Sequence, residues 1–195
     1  MPRGAATSEQ RSAPSRDAAL PLIAEVFRLH GYEGASLSQL TEATGLGKGS
    51  LYNFFPGGKE QMAAEVIAEI DSWFERNVFA PLRDSADPSE GLRRMFDATE
   101  QYFHSGRRVC LVGMLALGSS RDLFAKQVHG YFERWRSALA SALQRAGGER
   151  AEAGRAAEAI LLEIQGALVL ARAADDPGVF TRTLKRLRQS HIPRA

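Results

Sequence analysis

Residues 36–59 read SLSQLTEATGLGKGSLYNFFPGGK, two short helical patterns separated by a break at Gly45-Leu46. Ser36 is a good amino-terminal cap for the first, and Gln39 stands where it would complete a capping box. Leu40 and Leu46 on one side of the break and Leu51 on the other would form a small core. Gly45 supplies the backbone freedom that the sharp bend needs. The pattern predicts a helix-turn-helix unit. Lys48, Ser50, Tyr52 and Asn53 then fall on outward positions of the second helix, where side chains can enter a DNA major groove. In such a pose Lys48 can donate to guanine edges, Asn53 can pair with adenine, and Ser50 can take either role. Ser36, Tyr52 and Lys59 suit phosphates, which position a protein without reading sequence. With Ser38, Gln39 and Gly49 beside them, these residues make up the candidate DNA-contacting set. Tyr52 can equally pack within the head, and Phe54 and Phe55 suit core or interdomain packing better than base contacts.

The run from Gly31-Tyr32 through Gly45-Leu46-Gly47-Lys48-Gly49-Ser50-Leu51-Tyr52-Asn53-Phe54-Phe55-Pro56 to Lys59 resembles the amino-terminal domain of the TetR family of bacterial transcriptional regulators. Tyr52, Phe55 and Lys59 match family positions in order. Thr41 departs from the usual Ala, and Pro56-Gly57-Gly58-Lys59 is one residue longer than the commonest connection to the fourth helix. That longer connection, Cys110-Leu111 and the run Gly166-Ala167-Leu168-Val169-Leu170-Ala171-Arg172 are similar to a subgroup including regulators of drug efflux and of responses to aromatic compounds. The resemblance implies an all-α homodimer with a three-helix DNA-binding domain and a larger ligand-responsive helical domain. It implies a repressor that binds an operator in double-stranded DNA and is released by a small apolar or aromatic effector.

Composition agrees with such a protein. A chain of 195 residues with 44% hydrophobic content suffices for one sizeable core or two small ones. No apolar stretch approaches membrane-spanning length and no secretory signal precedes Ser15, so a cytoplasmic location without membrane contact is expected. The lone cysteine, Cys110, cannot form an internal disulfide, which favours a reducing compartment. Charge is less telling: in residues 1–60 six basic residues balance six acids. What matters is the face on which Lys48 and Lys59 lie. The basic stretch from Thr181, with Arg182, Lys185, Arg186, Arg188 and Arg194, reads as a solvated helix face plus a tail.

Residues 1–15 lack periodicity and are expected to be a disordered tail, with Arg3 or Arg11 able to touch a minor groove. A first helix runs to about His30, with Pro21 in its first turn, where a missing N–H costs least. The DNA-binding domain is then 16–58. From Lys59 a long helix carries Met62, Val66, Ile70, Trp73 and Phe74 at helical spacing. Pro81 and residues 84–88 mark a loop. Further helices are expected from Pro88 to about Ser105, Cys110 to Gly118, Arg121 to Ala146, Arg150 to Ala173 and Val179 to Gln189. They make 59–189 a ligand-binding and dimerisation domain, with a tail over 190–195. No segment alternates with period two, so no sheet is expected. The helix from Arg150 is apolar nearly all round between Ala156 and Ala171. A partner subunit packed in a four-helix interface would cover it, as would burial within a larger core. A symmetric dimer also suits a palindromic operator.

In the second domain Phe96, Phe103, Met114, Phe132, Trp135 and Gln165 are candidates to line an effector cavity, as the resemblance implies, and Met95 and Phe124 are further apolar candidates. Glu100, His104, His129 and Gln165 could orient a ligand. Cys110 offers an alternative: with Arg107 and Arg108 just before it and a helix amino terminus beneath it, a stabilised thiolate could sense oxidants or electrophiles. A small buried packing residue is the plainer role. Gly45-Leu46-Gly47-Lys48-Gly49-Ser50 superficially resembles a phosphate-binding loop and raises a nucleotide-using enzyme as an outside alternative. Its spacing is wrong, however, and the preceding LSQLTEAT reads as helix where a strand is required. Asp97, Glu100 and His104 share a helix face, but no further histidine or cysteine pair completes a metal site. No cofactor, metal or catalytic residue is expected.

Overall fold

The computed structural model describes residues 15–192, which form helices joined by short turns with no strand among them. Most of the expected amino-terminal tail, including Arg3 and Arg11, lies outside the described residues, as do 193–195. Helix α1 (Arg16–Gly34) begins at Ser15, whose hydroxyl accepts from the Ala18 N–H at 3.2 Å. Pro21 sits in the second turn rather than the first. There Asp17 and Pro21 both face solvent, so water can satisfy the carbonyl that loses its helical donor. The regular helix ends after His30, where Gly31 turns the chain with φ 70°.

Helices α2 (Leu37–Thr44) and α3 (Lys48–Phe54) complete the head, and α4 (Gly58–Phe74) leads out of it. Along α4 the residues Met62, Ala63, Val66, Ile67 and Ile70 are buried, and the helix packs along α1. Arg16 ties the two together: it pairs with Glu65, donates to the Phe54 carbonyl at 3.4 Å and lies over the Phe55 ring.

Helix α4 does not stop at a loop. It passes through a wide π-turn, Glu75–Phe79, into α5 (Ala80–Asp84). Pro81 is therefore inside helical structure and only residues 85–87 form the expected loop. The π-turn explains this: the Ala80 N–H bonds to the Glu75 carbonyl five residues back, and the widened turn relieves the clash a proline ring makes with a regular α-helix.

Helix α6 (Pro88–Tyr102) is capped by Asp87, whose carboxylate accepts from the Ser89 N–H at 2.8 Å. It ends before Ser105, because His104 and Ser105 adopt left-handed φ values of 48° and 53°. Gly106 follows at φ 94°, where a Cβ would stand 2.7 Å from the Phe180 Cβ. Only glycine meets both demands. After α7 (Leu111–Leu117), a tighter 3-10 stretch over Ser119–Phe124 delays α8 (Ala125–Arg145) beyond the expected Arg121. Helices α9 (Arg150–Ala174) and α10 (Gly178–His191) close the chain, the last running through part of the expected tail.

The body is built on aromatic rings. Phe74, the final residue of α4, lies with its ring centre 4.7 Å from Tyr102, 5.0 Å from Tyr131 and 5.1 Å from Trp135. The helix that leads out of the head thus ends inside the core of the body. Helix α9 buries Ala157, Ile160, Ile164 and Leu168 on one side. Its other side leaves Leu162, Val169 and Leu170 exposed at 67%, 61% and 60%, so the described residues of one chain do not cover it.

Candidate nucleic-acid interface

The bend between α2 and α3 is held by local bonds. At its entry the Ser36 hydroxyl accepts from the Gln39 N–H at 3.3 Å while the Gln39 side chain accepts from the Ser36 N–H at 2.8 Å, the expected capping box. Thr41, the departure noted in the sequence, donates its hydroxyl to the Ser38 carbonyl at 2.7 Å. Thr44 is buried, yet its hydroxyl donates to the Leu40 carbonyl at 2.6 Å and accepts from the Leu46 N–H at 3.3 Å. Gly45 then adopts φ 67°, a left-handed cap that a residue with a Cβ would resist. Leu40, Leu46 and Leu51 are buried as the pattern requires.

These contacts leave Lys48, Gly49, Ser50, Tyr52 and Asn53 exposed on α3, with Ser38 exposed on α2. Gln39 is half-buried, its carbonyl oxygen spent on the capping box. Ser36, Tyr52 and Lys59 line one cleft between the start of α2, α3 and the start of α4. Sequence spacing does not reveal that convergence. Lys59 is also more occupied than a free phosphate contact: its ammonium donates to the carbonyls of Glu33 at 3.3 Å and Ala35 at 3.2 Å and lies 4.7 Å over the Tyr32 ring. Phe55 is fully buried and Phe54 half-buried. The phosphate-loop likeness fails on structure, since LSQLTEAT is α2 itself and among the described residues no strand precedes Gly45.

Polar links join the head to the body. The Glu33 carboxylate accepts from the Ser119 hydroxyl at 2.8 Å and the Ser120 N–H at 2.7 Å. Hydrogen bonds from its own backbone and from Ser119 and Ser120 hold its pKa down at about 2. Arg28 donates to the Tyr102 hydroxyl at 3.1 Å, and Arg108 donates through Nε to Glu25 at 3.2 Å. Burial pushes the Glu25 carboxyl up, but the Arg108 hydrogen bond and the charges of Arg28 and Arg108 outweigh it, leaving the group below its ordinary value. The Tyr32 ring meets Phe124 edge-on at 5.2 Å.

In the body the sequence-selected residues separate. Phe96, Phe103 and Trp135 are fully buried; Phe103 and Trp135 pack against Phe74 in the aromatic core, and the Arg188 guanidinium lies 6.0 Å over the Phe96 ring. Phe132 is half-buried against Tyr131. Met114 lines a cleft with Tyr32, Leu111 and Leu115. The Gln165 side-chain oxygen and the Cys110 sulfur both face Gly113, 3.0 Å and 3.5 Å from where a Cβ would stand. The Tyr131 hydroxyl, the Trp135 indole N–H and the Gln165 amide nitrogen are buried without a hydrogen-bond partner. Tyr131 was not among the sequence candidates, and only its helical position beside Phe132 and Trp135 hinted at it.

Cys110 does not have the surroundings of a reactive thiol. It is the buried amino-terminal cap of α7, accepting from the Gly113 N–H at 3.3 Å, and burial pushes its thiol pKa up. Arg108 is turned to Glu25. Thiol sensing is accordingly replaced by the plainer packing role. Asp97 and Glu100 both pair with Arg188, and among the described residues no cluster of three metal-ligating side chains occurs. No helix among them is long and apolar enough to cross a membrane.

A capped helix-turn-helix with an exposed second helix, set on an aromatic helical body, defines the architecture of a DNA-binding transcriptional regulator. Residues 20–66 match the family model for bacterial regulatory proteins of the tetR family, and residues 88–186 match that for the carboxy-terminal domain of LmrA/YxaF-like transcriptional regulators. The chain belongs to the TetR family. It is 29% identical to the HTH-type transcriptional regulator LmrA of Bacillus subtilis (strain 168) over 164 residues, covering 82% of this chain and 87% of that protein. A TetR regulator from Legionella pneumophila shares the fold with a TM-score of 0.80 at 20% identity, over 93% of this chain and all of that one. The regulator CifR, as a cysteine mutant complexed with double-strand operator DNA, superposes with a TM-score of 0.71 at 25% identity, over 92% of this chain and 98% of that one.

Proposed function

We propose that the protein is a non-enzymatic repressor that binds a palindromic operator as a homodimer and is released by a small apolar or aromatic effector. The observation that carries the reading is the exposed face of α3: Lys48, Ser50 and Asn53 are held outward by a bend whose own polar groups are already satisfied. Lys48 and Asn53 are assigned to bases, with Ser50 between them. Ser36, Tyr52 and Lys59 are assigned to phosphates, with Ser38, Gln39 and Gly49 at their edges. The reading head is residues 16–58 and the effector and dimerisation body is 59–189.

The exposed stripe of Leu162, Val169 and Leu170 on α9 supports pairing with a second copy, since exposed apolar stripes on one helix face mark association. A twofold axis through α9 and α10 would set two copies of α3 to read half-sites about one helical turn apart.

The effector site is assigned to Phe96, Phe103, Met114, Phe132, Trp135 and Gln165, which share no open cleft here, so a guest has to part the aromatic core to reach them together. Support comes from the unpartnered donors Tyr131, Trp135 and Gln165, because buried donors without acceptors are costly and an aromatic ligand bearing oxygen atoms would satisfy them. If it favours a dimer whose α3 helices are wrongly spaced, it lowers DNA affinity by the ratio of its affinities for the two states.

Fluorescence anisotropy against the DNA flanking the protein's own gene, with unrelated duplex as competitor, tests the reading. Saturable binding that survives competitor and drops on Lys48→Ala supports it. Binding no tighter than to the unrelated duplex, followed by failure to enrich any sequence from random DNA, overturns it.

A further inference from the structure

Between α1, α4 and the turn after α6 lies a cavity of about 310 Å³, formed where the head meets the body. That volume is at the lower end of the range for small-molecule sites, roughly 300–1,000 Å³. Its walls are of two kinds. Ala24, Val66 and Ile70 give an apolar floor, and Trp73 and Tyr102 add two rings with centres 4.7 Å apart. Arg28 and Arg108 supply guanidinium groups.

The guanidinium pair is unusual in its burial and in how it is satisfied. The Arg28 side chain is only 6% exposed, and its Nε has no partner. Its other nitrogens bond to Glu25 at 2.7 Å and to the Tyr102 hydroxyl at 3.1 Å. Arg108 lies 5.1 Å over the Tyr102 ring and pairs with the same Glu25 carboxylate. One half-exposed carboxylate therefore serves two guanidinium groups. A neighbouring cleft shares Arg28, His104 and Arg108 and adds Glu25, Arg107 and Arg172, whereas Glu69 is the acid on the cavity wall itself. Positive charge outweighs negative charge here, beside aromatic faces.

We propose that this junction cavity binds a small amphipathic aromatic anion, an aryl carboxylate, with its ring against Trp73 and Tyr102 and its carboxylate on Arg28 and Arg108. The ligand carboxylate takes the guanidinium edges that Glu25 otherwise holds, a planar match between fork and carboxylate. Glu25 belongs to α1 and Arg108 to the body, so occupancy exchanges a head-to-body ion pair for a ligand contact. The site is distinct from the effector core assigned above and does not depend on it.

Calorimetric titration of the full chain with 2-naphthoate and with its neutral isostere 2-naphthamide tests the proposal without DNA. The acid is expected to bind about ten-fold more tightly than the amide or better. Arg108→Gln should remove that preference, and Arg108→Lys should restore part of it. Glu25→Gln should tighten naphthoate binding several-fold by removing the internal competitor, an effect that a folding defect does not produce. Absence of naphthoate binding to the wild-type chain overturns the proposal, as does equal affinity for acid and amide. So does a Glu25→Gln variant that binds the acid less tightly than wild type.

Discussion

In the head, Thr44 is buried yet its hydroxyl both donates to Leu40 and accepts from Leu46, whereas in the body Tyr131, Trp135 and Gln165 each bury a polar hydrogen with no acceptor. The helix-turn-helix satisfies its polar groups within a few residues of chain, so it presents a rigid α3. The body gathers rings from α4, α6 and α8 around Phe74 and leaves donors unpaired among them. Local satisfaction suits a surface that must read one DNA geometry. Unpaired donors in an aromatic core suit a region that gains from a guest and can change shape when one arrives.

The contrast can be broken most severely at its centre. Phe74→Ala removes the ring by which α4 anchors in the body and should cost about 3–5 kcal/mol in denaturant unfolding. A loss under about 1 kcal/mol would mean that the aromatic cluster is not what holds the body together. Next in size, Leu162→Glu places a charge in the exposed α9 stripe. It should weaken self-association by about 2 kcal/mol or more, read as a shift toward monomer in sedimentation, with little effect on the monomer fold. Ser36→Ala takes one half of the capping box from α2 and should cost about 1 kcal/mol, measured by thermal unfolding. Hydrogen exchange at the Gln39 amide should rise in the same variant.

The smallest effect is a pH dependence at the link between the regions. Glu33 titrates at about 2 in the folded chain against an ordinary 4.5, so its depressed value adds stability that is complete above 4.5. That contribution fades as pH falls through the interval from 4.5 toward 2. Glu33→Gln should flatten this part of the acid-unfolding curve. An unchanged curve would show that the bonds to Ser119 and Ser120 do not persist in solution.

How far each region could be read from sequence follows the same division. Ser36 with Gln39, the helix start at Pro88, and the end of the first regular helix at His30 are local signals, and each falls where the structure has it. The helix-turn-helix core of Leu40, Leu46 and Leu51 is set by spacing alone. What escaped are features without a local signature. The π-turn at Glu75–Phe79 carries Pro81 into a helix because a carbonyl is displaced, which no residue type announces. Glu25 with Arg108 and Glu33 with Ser119 are pairs more than eighty residues apart in sequence. Lys59 matched a phosphate position, but its ammonium rests on the carbonyls that close α1. Phe96, Phe103 and Trp135 were recognisable as buried aromatics, while the choice between closed core and cavity wall depends on packing that their spacing does not encode.

The central claim is that two copies of α3, related by a twofold axis, read DNA. Selection from random duplexes with the purified full-length protein, followed by sequencing of the enriched pool, tests it most directly. The account predicts an inverted repeat with half-sites about one helical turn, or a multiple of it, apart, bound by two chains or a multiple of two. An enriched site without twofold symmetry, or a pool with no enriched sequence at all, would contradict it.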